Sequence, residues 1–316
     1  MNEKFDRNPE ALSNIFFHTS RTRNAFKAIE EVIEFGWERD YCKATRLFGL
    51  PGTGKTHAVT HFEQLRCGER GWKVLTLEVA PGLTPRMFGE QFLEGLGDPS
   101  PAFGSPNQKL SRAGEAVTAQ GYDVIILEEF HRLIDDRTDK VNHAVGHWVT
   151  GFLNLRVCPL VLMGEPSAER VLRGNDMLDQ RTFPGFFVTP YDWGVEQDRQ
   201  EFRKTMHAID TKLGMPERSG LGTLETAHCI YTFSNGVLRR AVDMIAKSRR
   251  RAKQLGLQML THEVMAETVD EFLAVGPAGV HNPFRPGAAP SVDILLPIVD
   301  DTRKSRRRSR LKGFDE

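Results

Sequence analysis

Cysteine is scarce: the 316 residues hold only Cys42, Cys67, Cys158 and Cys229, far apart, with no CxxC pair and no histidine at metal-ligand spacing. That excludes a disulfide framework or a cysteine metal knuckle and fits reduced thiols in a cytosolic compartment. Net charge is lacking as well, because 42 Lys and Arg balance 42 Asp and Glu. The total therefore announces no strongly basic nucleic-acid binder. No apolar run approaches the ~20 residues of a membrane-spanning helix. The polar opening MNEKFDRNPE is followed by no apolar segment of the signal-peptide kind. Internal repeats are missing too, which excludes a solenoid. A soluble, cytoplasmic protein without membrane association is expected.

What is present is ordinary in bulk and uneven in detail. With 40% hydrophobic and 27% charged residues, the chain can bury the core of one large or two modest domains. The neutral total hides one basic block: residues 303–312, RKSRRRSRLK, carry seven Lys or Arg and no acid.

Along the chain the hydrophobic period alternates. Phe26, Ile29, Val32, Ile33 and Trp37 recur at helical spacing, so residues 21–40 read as an amphipathic helix. Short apolar strands are expected at 44–48, 73–79, 123–127, 159–163 and 186–188, with helices at 56–66, 84–96, 110–120 and 142–155 between them. The Pro, Gly and Ser of 97–108 predict a loop. Strands apolar on both faces and alternating with helices indicate a parallel sheet covered on both sides. After Asp192 the strand signals stop, and 197–213, 221–233, 237–255 and 261–272 read as helices. The organisation expected is a lead-in and helix over 1–40, an α/β core over 41–191, a helical domain over 192–275 and an extended basic tail over 276–316.

Two motifs carry chemistry. Residues 49–56, GLPGTGKT, match the full Walker A pattern, with an apolar strand before and a helix after. Glycines let backbone N–H groups turn in around phosphate oxygens at the helix N-terminus. Gly49, Pro51, Gly52, Thr53, Gly54 and His57 then line a nucleotide cradle, Lys55 reaches the β- and γ-phosphates of ATP, and the Thr56 hydroxyl holds Mg²⁺. The second motif is VIILEE, residues 124–129. A strand of this kind usually ends in Asp-Glu, the first holding the Mg²⁺ shell and the second polarising the attacking water. Here Glu128 takes the metal position and Glu129 the catalytic one. Glu128 is a methylene longer than Asp, which waters on the metal can absorb. Slow hydrolysis is expected, or binding without hydrolysis if Glu128 is only a solvated strand end.

With these motifs placed, the chain resembles an AAA+ ATPase: a P-loop parallel sheet between helices, followed by a small all-helical lid. The resemblance implies further roles. Strand end LVLMGEP (160–166) is similar to a sensor 1 strand, with Glu165 where Thr or Asn is usual; an acid there repels phosphate unless Mg²⁺ or a basic group intervenes. Arg181, in DMLDQRTF (176–183), stands where an arginine finger serves the neighbouring subunit, unless it merely pairs with a surface acid. Gly236-Val237-Leu238-Arg239 is similar to sensor 2. Arg240 is the adjacent alternative, and both could belong to a solvated basic face running on to Lys253.

The stretches LEEFHRL and VLMGEPSAERVL, together with Asn282-Pro283-Phe284, resemble the TniB/TnsC group of transposition ATPases, relatives of the phage MuB protein. That resemblance implies a bacterial, nucleoid-associated regulator that assembles with itself as a ring or filament on duplex DNA. It would work with a transposase and a target-selection protein, and hydrolysis would take it off. Arg137, Thr138 and Lys140 are the implied phosphate contacts, although Asp135, Asp136 and Asp139 among them also fit a plain polar loop. The 303–312 block fits a nucleic-acid or partner tail, or a solvated one. Two alternatives stay open: a loader or remodeller of a replication protein, and a nucleotide-controlled signalling switch. A remodeller usually shows an aromatic pore loop, which is not evident, and the chain is short for a fused effector.

Overall fold

The computed structural model describes residues 18–38, 42–134, 139–274 and 281–285, with backbone alone over 139–143. The apolar stripe near the start forms α1 (Ser20–Trp37), opened by a reciprocal capping box between Thr19 and Thr22. Five strands follow: β1 (Ala44–Gly49), β2 (Val74–Glu78), β3 (Val124–Glu128), β4 (Leu160–Gly164) and β5 (Thr182–Val188). They pair in the order β2-β3-β4-β1-β5, and every pairing is parallel.

Parallel neighbours need crossovers, and these are helical. After β1 comes α2 (Lys55–Phe62), which runs through a π-helical turn (Glu63–Cys67) into the short α3 (Gly68–Arg70), beyond the expected end at 66. Between β2 and β3 lie α4 (Pro85–Gly95) and α5 (Pro106–Gln120). Ser105 caps α5 with Pro106 in its first turn, so the loop expected over 97–108 ends three residues sooner. Helix α6 (Asp139–Asn154) precedes β4, and α7 (Glu169–Arg173) and α8 (Asp176–Gln180) precede β5.

Side chains alternate across each strand, so the sheet builds two cores. Ile125, Leu127, Leu160 and Leu162 pack with Phe88, Phe92, Trp148 and Phe152 of α4 and α6. Val124, Ile126, Val161 and Met163 pack on the opposite face with Phe26, Ile29, Val59 and Phe62 of α1 and α2. Each of these fully buried large side chains contributes about 1.5–3 kcal/mol. The outcome is a sheet that fixes the carboxyl ends of β1, β3 and β4 along one edge.

A helical unit follows, made of α9 (Glu196–Thr211), α10 (Leu224–Ser234), α11 (Leu238–Gln254) and α12 (His262–Leu273). Its own core includes Phe202, Met206, Ile230, Met244, Ile245 and Met265. Phe284 is buried in that same core. The Asn282 amide donates to the Ala266 carbonyl at 2.7 Å, and Arg285 reaches Glu263 and Asp270, each at 2.7 Å. Residues 282–285 are therefore packed, where an extended tail from 276 was expected. The basic block at 303–312 lies outside the described residues.

Candidate nucleotide site

Strand β1 ends at Gly49, in register with Val188 of β5. A Cβ at Gly49 would sit 2.3 Å from the Val188 carbonyl, so only glycine lets the chain leave the sheet here. Gly52 and Gly54 take φ of +78° and +100°, a region that costs other residues dearly. At Gly54 a Cβ would meet nothing within 4 Å, so the loop is open on that side. Helix α2 begins at the next residue, and its first N–H groups have no partner within the helix. These groups, with the positive end of the helix dipole, form an anion cradle.

Lys55 is only 8% exposed. Its ammonium donates to the carbonyls of Gly49 at 2.7 Å and Leu50 at 3.0 Å. Burial lowers its pKa, while the charges of Glu129, Glu165 and Glu128 pull the other way. Those three carboxylates come from the ends of β4, which lies beside β1, and of β3, the next strand beyond it. Burial raises the Glu128 pKa, with the charges of Glu129 and Glu78 adding to it; a hydrogen bond from the Thr56 hydroxyl opposes them. Glu128 and Glu78 face each other in the β2–β3 register.

Glu129 departs from the strand with φ +56°, left-handed for a residue that has a Cβ. That turn starts a 3-10 segment, Phe130–Leu133, which brings His131 and Arg132 back over the strand ends. His131 Nε2 lies 3.7 Å from a Glu129 oxygen and 3.6 Å from a Glu165 oxygen. Arg132 reaches Glu129 at 3.4 Å and Glu78 at 2.6 Å. A Cβ at Gly164 would stand 3.1 Å from the His131 backbone nitrogen and ring, so glycine there lets the turn close onto β4.

The arrangement fits a magnesium nucleotide. The loop is open above Gly54, the charges of three carboxylates act on Lys55, and Thr56 is near enough to Glu128 to oppose the rise in its pKa. Among the described residues no group of three His, Cys, Asp or Glu could hold a metal. A divalent ion at Thr56 and Glu128 would complete its shell from phosphate oxygens and water, as Mg²⁺ ordinarily does.

The helical unit touches the loop directly. The Arg239 N–H donates to the Gly52 carbonyl at 3.1 Å, and a Cβ at Gly52 would meet Arg239 Cβ at 3.0 Å. The Arg239 guanidinium is 77% exposed and 3.9 Å from Asp243. Arg240 instead lies over the Phe233 ring at 5.8 Å. So of the two, Arg239 faces the loop. Two members of the remaining basic run on α11 pair with α12. Lys247 pairs with Glu271 at 2.8 Å, and Arg251 with Glu267 and Glu271 at 2.7 and 2.5 Å.

A small cavity of about 30 Å³ adjoins the loop, lined by Thr53, Gly54, His57, Tyr191 and Leu238 together with Thr19, Arg21 and Thr22. Sequence reasoning found Thr53, Gly54 and His57 and missed the rest, because four separate segments converge there. Arg21 is the organiser. It donates to the carbonyls of Thr189 at 2.7 Å and Pro190 at 2.8 Å, pairs with Asp198 at 2.6 Å, and stacks on Tyr191 at 3.9 Å. The available signal was Thr19–Thr22, a cap that marks an ordered start to α1.

Arg181 is not part of this site. Its carbonyl accepts from the Ala44 N–H at 2.9 Å, at the start of β1, whereas the loop leaves the strand's other end. That is a separation of about 17 Å at the usual strand rise. Arg46 holds Asp179, two residues before it, at 2.5 Å. Arg137 and Thr138 lie outside the described residues, as does the side chain of Lys140, which falls in the first turn of α6.

The five-stranded parallel sheet, its flanking helices and the phosphate loop make the AAA+ P-loop fold. Residues 38–172 match the sequence model of a family described as AAA domain. No curated protein matches the chain by sequence. Among solved structures, Cdc6p from Pyrobaculum aerophilum is similar, with 16% identity and a TM-score of 0.56 over 84% of this chain and 71% of that one. Aeropyrum pernix ORC1, solved in complex with DNA, is 16% identical with a TM-score of 0.55, over 84% and 68% of the two chains. Aeropyrum pernix ORC2, solved as ADPNP–ADP complexes, is 12% identical with a TM-score of 0.54, over 78% and 66%. At these identities the likeness is one of fold. No helix among the described residues is long and apolar enough to cross a membrane.

Proposed function

We propose that the chain is an ATP-dependent, self-assembling ATPase that binds duplex DNA and regulates transposition, marking the target for a transposase. The observation that carries the nucleotide part is the loop itself: open above Gly54, with the buried Lys55 ammonium held on the Gly49 and Leu50 carbonyls under the influence of three carboxylates. The transposition part is supported by the LEEFHRL and GEPSA patterns. The DNA part is supported by the basic block at 303–312 and by a protein of the same fold solved on DNA.

In this reading the base packs over the mouth of the cavity beside Thr53, His57, Tyr191 and Leu238, and the phosphates follow the loop toward the ends of β3 and β4. The Lys55 ammonium exchanges its carbonyl partners for phosphate oxygens. Thr56 and Glu128 hold Mg²⁺, which supplies charge neutralisation at those oxygens when bound. Glu129 orients a water and accepts its proton. Arg181 serves the site of a neighbouring copy, where a guanidinium stabilises charge that develops on the leaving phosphate.

Electron microscopy with duplex DNA and a non-hydrolysable ATP analogue tests this. Rings or filaments are expected with the analogue and absent for Lys55→Ala. No assembly across a range of salt would contradict the reading. Strand transfer by the transposase of the same genome should rise on DNA the protein occupies; assembly without that effect would point to a loader of a replication protein.

A further inference from the structure

Glu165 is the odd residue of the site, an acid at the end of β4 beside the phosphate loop. Gly164 pairs with Phe48, so Glu165 follows the strand end that neighbours Gly49. The cavity over whose mouth the base packs lies on the opposite, β5 side of β1, with Val188 among its walls. A nucleotide laid from that cavity across the loop brings its last phosphate nearest Glu129 and Glu165. An unpaired carboxylate there would repel the γ-phosphate in particular.

His131 answers the problem by its geometry. Its Nδ1 accepts the Glu165 backbone N–H at 3.3 Å. In the neutral ring the hydrogen then sits on Nε2. Nε2 stands between the two carboxylates, 3.6 Å from a Glu165 oxygen and 3.7 Å from a Glu129 oxygen. The Gly164 contact described above lets the ring reach this place, so residues 129–131 and 164–165 form one unit.

We propose that His131 is a positioning residue that sets the preference for ATP over ADP: it holds the Glu165 carboxylate beside Glu129 and away from the terminal phosphate. The inference rests on the nucleotide reading of the site. Asn at 131 keeps an acceptor for the Glu165 N–H but is too short to reach either carboxylate, whereas Gln carries an amide donor to about the place of Nε2.

The test is the ratio of ATP to ADP affinity, by equilibrium titration without Mg²⁺, together with single-turnover hydrolysis with it. His131→Asn is expected to lower the ATP preference by about tenfold, the scale of one like-charge contact in a partly wet cleft. Adding Glu165→Gln should restore most of it, and His131→Gln alone should stay close to wild type. Single-turnover rates should fall and recover in the same order. An unchanged ratio in His131→Asn, or a loss that Glu165→Gln does not relieve, overturns the proposal and leaves the nucleotide reading standing. Wild-type protein that binds neither nucleotide overturns both.

Discussion

Glu128 shows what the site costs the fold. Burial and two neighbouring carboxylates raise its pKa above the ordinary value. A raised pKa means that its contribution to stability is fully present below the unfolded-state value and lost as pH rises through the folded one. At neutral pH the charge therefore opposes folding until a cation arrives. Glu128→Gln is expected to raise the thermal midpoint of the nucleotide-free protein at pH 8 by about 1–2 °C, the size of a ~1 kcal/mol gain at this chain length. The gain should shrink toward pH 4, and Mg²⁺-dependent ATP binding should weaken in the same variant. Scanning melts at the two pH values check the sign. Much of this chemistry was legible in the sequence, because eight consecutive residues build the phosphate loop and two more end β3, one strand removed across β4. The Glu165–His131 contact was not, since its partners are 34 positions apart and meet only because Gly164 admits the turn.

Among elements, the join between core and helical unit depends on α1. Arg21 is nearly buried and binds the 189–190 carbonyls, Asp198 and, at 3.4 Å, Glu201. The Ser20 hydroxyl adds a 2.6 Å bond to Glu201. Burial by itself would push the Asp198 carboxyl up, but the Arg21 guanidinium and the Asp192 N–H outweigh it and hold the pKa below the usual range. That contribution is present above the unfolded-state pKa and is lost as pH falls through the folded value. Arg21→Ala leaves Asp198 without its partner and is expected to cost about 3 kcal/mol in urea unfolding at pH 7. The difference from wild type should narrow below pH 4. The sequence identified the elements themselves better than their joins. Expected and observed strands agree where apolar residues run unbroken. In β5 only 186–188 was foreseen, because Pro184 and Gly185 interrupt the run. The strand nonetheless extends from Thr182 as an edge strand with an irregular register, Gly185 taking φ +66° against the Arg46 backbone.

At the scale of the whole molecule, one chain holds the phosphate loop at one end of β1 and Arg181 at the other, so Arg181, in the role proposed above, would serve a second copy. Lys55→Ala should fail to bind ATP yet still offer Arg181, and Arg181→Ala should bind ATP without a finger. Each is expected to be inactive alone. Mixed in equal amounts, they should recover up to about a quarter of wild-type phosphate release, the share of random neighbours that pairs an intact loop with an intact arginine. A mixture as inactive as its parts would place Arg181 outside the reaction. The most direct test of the account is phosphate release by Glu129→Gln at saturating ATP, with ATP affinity measured on the same sample. Affinity within about threefold of wild type and release lowered at least ~100-fold is the result expected of a lost catalytic base; release at the wild-type rate would contradict the account.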